Sequence, residues 1–290
     1  MDGSRRKLGV SLGVVDVIVT GAGGRLGRLL RAAWQEAPPE GLRPVWTGRG
    51  QGVDLAWDLL ADPVPDLPRG AVVLHLAGVL SGPEDALRRN AAMVAPLVAA
   101  CRASGARRLL AVSSAAVYGA GLPGADEDDA PAPVSAYGRA KAEMESLALA
   151  APGLAPNLAA TVLRIGNVAG ADALLGPRPA GQEIVLDAVQ GRDDGPLRSW
   201  IGPRSLARVL AALCRLPALP PVLNIACDPP LAMADLLGAS GLPWRQGPLN
   251  PATIPVATLS TRRLAALVDL PPADATTLAA EAAWARGVLA

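Results

Sequence analysis

Val14-Val15-Asp16-Val17-Ile18-Val19, running directly into Thr20-Gly21-Ala22-Gly23-Gly24-Arg25-Leu26-Gly27, decides the fold of this chain. The first six residues are mostly β-branched and predict a buried strand. Beyond the glycines, Leu26, Leu29, Leu30, Ala33 and Trp34 share one face of a helix that Pro38-Pro39 must end. Strand, glycine-rich turn and helix N-terminus together form a cradle for a pyrophosphate, because free amides and the helix dipole face the same point. Glycine is needed where the turn is tight, where backbone nears phosphate, and where helix meets sheet. Here the spacing is Gly21-x-x-Gly24-x-x-Gly27, with Arg25 and Leu26 opening the helix. The expectation is an α/β chain of Rossmann type, a doubly wound parallel sheet that binds a dinucleotide.

Working outward, Arg43-Pro44-Val45-Trp46-Thr47 predicts a second strand, ending at Gly48-Arg49. An acid there would bind the adenosine ribose of NAD, whereas Arg49 suits the 2′-phosphate of NADP. NADP is therefore the expected preference, with NAD as the alternative. Asp54-Leu55 follows, where a carboxylate could accept from the adenine amino group. Ala71-Val72-Val73-Leu74-His75-Leu76 is a third buried strand opening into Ala77-Gly78, and His75 within it reads as a packed strand residue. A helix starting near Pro83 carries Asn90 and runs towards Cys101, with Pro96 expected to kink or split it. Arg107 to Val112 form the next strand, and Ser113-Ser114 at its carboxyl end point into the crevice where ligands bind in such sheets. Asp126-Glu127-Asp128-Asp129 reads as a solvated loop.

Next comes Ser135-Ala136-Tyr137-Gly138-Arg139-Ala140-Lys141. The chain has two tyrosines and two lysines, and here one of each stands four residues apart. On a helix such residues stack one turn apart on the same face. A lysine ammonium beneath the phenol would lower its pKa towards working pH and make a proton donor and acceptor for carbonyl/alcohol interconversion.

Three motifs in order, Thr20-Gly21-x-x-Gly24-x-x-Gly27, Ser113-Ser114-Ala115-Ala116-Val117-Tyr118-Gly119 and Tyr137-x-x-x-Lys141, resemble the extended short-chain dehydrogenase/reductases. The sugar-nucleotide epimerase/dehydratase branch is the most similar. Leu163-Arg164-Ile165-Gly166-Asn167-Val168, Arg198-Ser199-Trp200-Ile201 and Val222-Leu223-Asn224-Ile225-Ala226 resemble its later strands, so the likeness spans about residues 14–285. The resemblance implies that Ser114 hydrogen-bonds the reacting oxygen, Tyr137 is the general acid/base, and Lys141 holds the nicotinamide ribose and tunes Tyr137. It also implies a cofactor wall including Leu76, Ala77, Gly78, Asn90 and Ile165, and Asn167 near the substrate. A nucleoside diphosphate wants arginine forks, for which Arg178, Arg198 and Arg204 are candidates.

Two stretches depart from that pattern. Only a short Gly/Pro-rich segment, Gly170 to Gly181, separates the Asn167 strand from Glu183-Ile184-Val185-Leu186. Gly202-Pro203-Arg204-Ser205 lacks the expected acids, and Ser205 reads as an N-cap for the helix through Leu206, Val209, Leu210 and Leu213. The expected division is a Rossmann domain of 14–167 and 205–228 with a small C-terminal substrate lobe of 168–204 and 229–290.

Composition narrows the partners. Net charge is +1 with acids and bases interspersed, which argues against nucleic acid or a membrane surface. Cys101, Cys214, Cys227 and the single histidine have neither zinc nor disulfide spacing, so no metal is expected and a reducing cytoplasm is. Residues 1–13 read as a frayed basic terminus, not a signal peptide. The expected activity is an NAD(P)-dependent epimerase/dehydratase or reductase acting by hydride transfer on a sugar-type, possibly nucleotide-linked, carbon. Two alternatives stay open: single-step dehydrogenation of a small sugar, sugar acid or polyol, and a non-catalytic dinucleotide sensor. A homodimer is also left open.

Overall fold

The structure is a computed structural model that describes residues 13–120, 123–155 and 157–290. The expected basic terminus, apart from Gly13, lies outside the described residues. β1 (Val15–Thr20) enters the glycine turn and α1 (Arg25–Glu36). β2 (Leu42–Gly48), β3 (Leu55–Ala56), β4 (Val72–His75), α2 (Glu84–Ala92), α3 (Val94–Ser104) and β5 (Arg108–Ser114) follow. After a 3₁₀ turn at Ala115–Tyr118 come α4 (Ala136–Ala150), β6 (Ala159–Ile165) and β7 (Asn167–Val168). Then come β8 (Ile184–Ala188), β9 (Leu197–Ile201), α5 (Pro203–Arg215), β10 (Val222–Ile225) and β11 (Cys227–Ala232). α6 (Met233–Ser240), β12 (Trp244–Leu249), β13 (Val256–Ala257), α7 (Arg262–Ala265) and α8 (Ala275–Leu289) complete the chain.

The central sheet has seven parallel strands in the order β10-β6-β5-β4-β1-β2-β3. Alternate residues of each strand feed two cores. Val17, Val19, Leu74 and Leu163 pack with Leu30, Trp34 and Leu210 of α1 and α5. Ile18, Val73, Leu109 and Val162 pack with Leu97 and Met144 of α3 and α4. Each such side chain contributes about 1.5–3 kcal/mol by leaving water. From β1 the chain winds outward to β3, then returns to β4 on β1's other side. This reversal opens a crevice at the strands' carboxyl ends.

Beyond β6, β9 pairs with β11, β13 and β7, and β8 pairs with β12. Trp200, Leu236, Leu237, Leu278 and Ala282 form the core there. α8 joins this region to the large sheet's helices, since Trp284 Nε1 donates to Glu36 of α1 at 2.7 Å.

Three local expectations are corrected. The helix after Pro83 does split, but at Met93, and Pro96 lies in the first turn of α3, where it forfeits no helical hydrogen bond. Ser205 is not an N-cap: Gly202 holds that position, and the Glu281 carboxylate of α8 accepts from Arg204 N (2.7 Å) and Ser205 Oγ (3.1 Å). A Cβ at Gly202 would lie 2.3 Å from that carboxylate, so glycine is required. The acidic loop is not wholly solvated either. Glu127 is buried and accepts from Asn224 N at 2.9 Å.

Candidate active site

The glycine turn is built by close approach. Gly21 has φ +78°, and a Cβ on it would lie 2.5 Å from Ala77 N, while a Cβ on Gly27 would lie 2.3 Å from Gly21 O. No side chain caps α1, so its first-turn amides face the crevice unopposed, as a pyrophosphate requires. The crevice encloses about 860 Å³. Gly21, Gly24, Arg25, Leu26, Gly27, Arg49, Leu76, Ala77 and Gly78 line it, together with Ser114, Tyr137, Lys141, Ile165 and Asn167. Arg25 also reaches across to Ala171 O at 3.3 Å.

Ser114 ends β5 and accepts from Ala116 N at 3.2 Å, which starts the 3₁₀ turn behind it. Ser135 caps α4 by accepting from Gly138 N at 3.0 Å, aiming the helix start and Tyr137 at that turn. Gly138 permits the approach, since a Cβ there would sit 2.5 Å from Ala116 O. One turn on, Lys141 is buried and donates to Val112 O at 2.9 Å. Burial pushes its pKa down to about 8, against an opposing effect of Glu145. Burial also raises the Tyr137 phenol, and the Ser114 hydroxyl opposes the rise. The expected lysine-lowered phenol is therefore not what the geometry gives. Lys141 spends its charge on a carbonyl, and removal from water dominates the phenol. His75 is a packed strand residue whose Nδ1 meets Thr20 Oγ1 at 2.8 Å. Burial, aided by Lys141, pushes its pKa down to about 3 and keeps it neutral.

Several expected contacts lie elsewhere. Asp54 and Leu55 do not line the crevice. Asp54 closes the link to β2, accepting from Trp46 N at 2.8 Å and donating its own amide to Trp46 O. Asp58 and Leu59 take the crevice position instead, with Asp58 facing Arg49 at 3.8 Å. Asn90 stands behind the wall, accepting from Val79 N and donating to Val79 O, both at 3.0 Å, and so shapes the loop after Gly78. Arg178 donates to Ala173 O and Leu174 O. Arg198 donates to Leu197 O, Pro255 O and Ile254 O. Arg204 pairs with Glu36 at 2.8 Å and lies over Trp284. None of these three arginines lines the crevice. Arg89, Met93 and Asp172 do line it, and burial raises the Asp172 carboxyl. The sequence offered two Asp-Leu pairs four residues apart beside a two-residue strand, so register alone could not choose between them.

A model of the "NAD dependent epimerase/dehydratase family" matches residues 17–189. A UDP-glucose 4-epimerase of Azospirillum brasilense is 33% identical over 184 residues, covering 57% of this chain and 51% of that protein. The chain thus spans about half the length of this curated relative. Among solved structures, MoeE5 in complex with UDP-glucose and NAD superposes with a TM-score of 0.76 at 24% identity, covering 95% of this chain and 100% of the other. A UDP-glucose-4-epimerase from Stenotrophomonas maltophila, with bound NAD and formylated UDP-arabinopyranose, gives 0.76 at 20% identity, covering 95% and 99%. These two likenesses concern the fold.

The buried lysine has a measurable signature. Its folded pKa of about 8 lies below the ordinary 10.5, so between those values the unfolded chain holds more protons and stability rises with pH. Below pH 8 the full cost of the buried cation is present. Lys141→Met should therefore exceed wild type in stability at pH 7 by on the order of 2 kcal/mol after losing its hydrogen bond. That advantage should shrink as pH climbs towards 10, measured by urea denaturation. A difference independent of pH would contradict the assignment.

Proposed function

The chain belongs to the NAD dependent epimerase/dehydratase family, and on that premise we propose that it is an NAD(P)-dependent epimerase, dehydratase or reductase. It acts at a hydroxyl- or carbonyl-bearing carbon of a sugar-type substrate, nucleotide-linked in the leading form. The observation that carries this is the meeting of Ser114, Tyr137 and Lys141 on the same crevice as the uncapped glycine turn. A bound dinucleotide supplies hydride donor and acceptor. Tyr137 gives or takes the hydroxyl proton at its phenol oxygen, Ser114 donates to the same substrate oxygen, and Lys141 supplies positive charge one turn below. In this reading Asn167, which lines the crevice where β6 passes into β7, orients the sugar. Residues 168–204 and 229–290 then serve as the substrate lobe over the dinucleotide domain of 14–167 and 205–228. The buried, unpaired Cys101, Cys214 and Cys227 support a reducing compartment, and a homodimer remains part of the proposal.

For the cofactor we propose a preference for NADP(H). Gly48 ends β2 with no side chain, and a Cβ there would lie 3.8 Å from Ala22 N and 4.0 Å from Gly23 N. The space beside the phosphate turn holds no carboxylate from β2, and Arg49 follows on the crevice.

A second reading, single-step oxidation or reduction of a small sugar, sugar acid or polyol, is favoured by one observation. Arg178, Arg198 and Arg204, the candidates for clasping a diphosphate, are all bonded to other groups of the chain.

Tyr137→Phe should retain dinucleotide binding and lose about 10²–10⁴-fold in turnover; near-normal turnover would reject the chemistry. Titration of both cofactors should show NADP(H) bound more tightly. Arg49→Ala should remove that preference, about 1.5–3 kcal/mol for a charge-assisted contact, and equal affinities in wild type would reject it. Calorimetry of UDP, GDP and dTDP with the cofactor-loaded protein separates the substrate readings. Heat for one of them supports the leading form, and silence for all three, with activity on a free sugar, selects the second.

A further inference from the structure

We propose that Glu145 is a positioning residue for the reaction: from one turn beyond Lys141, and outside the crevice, its carboxylate keeps the Lys141 ammonium charged and aimed. The inference rests on the reading in which Tyr137 and Lys141 work on a bound dinucleotide and its substrate. Three consecutive residues of β5 meet three residues spaced four apart on α4. Val112 O accepts from Lys141 Nζ at 2.9 Å, Ser113 Oγ donates to Glu145 at 2.5 Å, and the Ser114 hydroxyl faces the Tyr137 phenol. Glu145 is 2% exposed and does not line the crevice, so it acts only through its neighbours.

Stability alone does not account for this carboxylate. Glu145 pairs with Arg164 of β6 at 2.9 Å, deep inside the protein. Taking an ion pair out of water costs much of what its attraction returns, and apolar side chains of like volume often serve such a place as well. What the carboxylate supplies is a negative charge on the same helix stripe as a buried lysine. Lys141 is 4% exposed, and its other neighbours carry no charge. β5 gives it the Val112 carbonyl, α4 the Met144 sulfur at 3.9 Å and the Tyr137 phenol, and β4 the neutral His75. From α2 comes the Asn90 side chain: a Cβ on Gly78 would lie 3.0 Å from Asn90 Oδ1 and 3.3 Å from Lys141 Nζ. Burial draws the Lys141 pKa down to about 8, and Glu145 opposes that fall. A neutral amine would lack the charge that both tasks proposed for Lys141 require, holding the ribose and favouring phenolate.

The chain's two lysines, Lys7 and Lys141, make the test direct. With the lysine ε-carbons isotope-labelled, the NMR signal missing from Lys141→Met is that of Lys141, and its shift against pH gives its pKa. Glu145→Gln keeps the shape and an acceptor but removes the charge, so Lys141 should titrate about one unit lower than in wild type. At pH 8 that leaves about fivefold fewer chains with a charged Lys141, so NADPH and NADH should bind the variant about fivefold more weakly. At pH 6 both proteins should bind them alike. ADP, which lacks the nicotinamide ribose, should bind both proteins alike at either pH. An unchanged titration, an affinity loss equal at pH 6 and pH 8, or a loss shared by ADP would each overturn the inference and leave the dinucleotide reading intact. Wild type binding neither dinucleotide would overturn the proposed function and the role of Glu145 in it together. If Glu145→Gln does not fold, the paired change Glu145→Met with Arg164→Met decides, since it leaves no uncompensated charge. A lower Lys141 titration there supports the assignment, and an unchanged one rejects it.

Discussion

The Glu145 carboxylate is the joint on which the site's geometry depends. It is 2% exposed and accepts from Ser113 Oγ at 2.5 Å, from Arg164 Nη2 at 2.9 Å and from Arg164 Nε at 3.2 Å. Three elements therefore meet at one side chain: α4, β5 and β6. Tyr137, Lys141 and Glu145 recur every four residues along one stripe of α4, so anchoring the last fixes the rotation that presents the first two. Removing one partner of such a buried pair typically costs about 3–5 kcal/mol, because the other charge is left uncompensated. Catalytic presentation and fold stability are coupled here through one ion pair.

The same joint continues to the sheet edge. The Arg164 guanidinium lies over the Tyr118 ring at 4.6 Å, and Tyr118 donates to Asn224 of β10 at 2.8 Å. Asn224 in turn donates its amide to Glu127 and its side-chain nitrogen to Ala125 O and Ser260 O. The acidic loop and the segment before α7 are thereby tied to the strand that closes the sheet. Tyr118, conspicuous in the Ser-Ser motif yet without an evident chemical task, serves as this structural link.

At the other end of the molecule, Glu281 does across 76 residues what a local acid could have done beside α5. α8 so becomes part of the framework of both halves, capping α5 and resting on α1 through Trp284. Arginine is spent in a similar way. Arg28 binds carbonyls at the end of α8, Arg108 those at the end of α5, and Arg198 those before β13. In a chain with two lysines, guanidinium forks serve as internal struts. Arg178 and Arg204 are bound within the chain in the same manner, to loop carbonyls and to Glu36.

The sequence by itself determined the cradle, the parallel α/β order, and the placing of Ser114, Tyr137 and Lys141 on one crevice. Each follows from short-range rules: glycine where a Cβ would strike backbone, apolar spacing of two or nearly four, and helical stacking of residues four apart. Only the tertiary structure decided which Asp-Leu pair faces the crevice, that Asn90 braces it from behind, and that three candidate arginines are bonded elsewhere. It also decided that the Tyr137 phenol is raised, and that Glu281 caps α5. The physical reason is common to all of these. Hydrogen-bond partners far apart in the chain, and the loss of water around a buried charge, exist only once the layers have packed, and no local pattern of residue types encodes them.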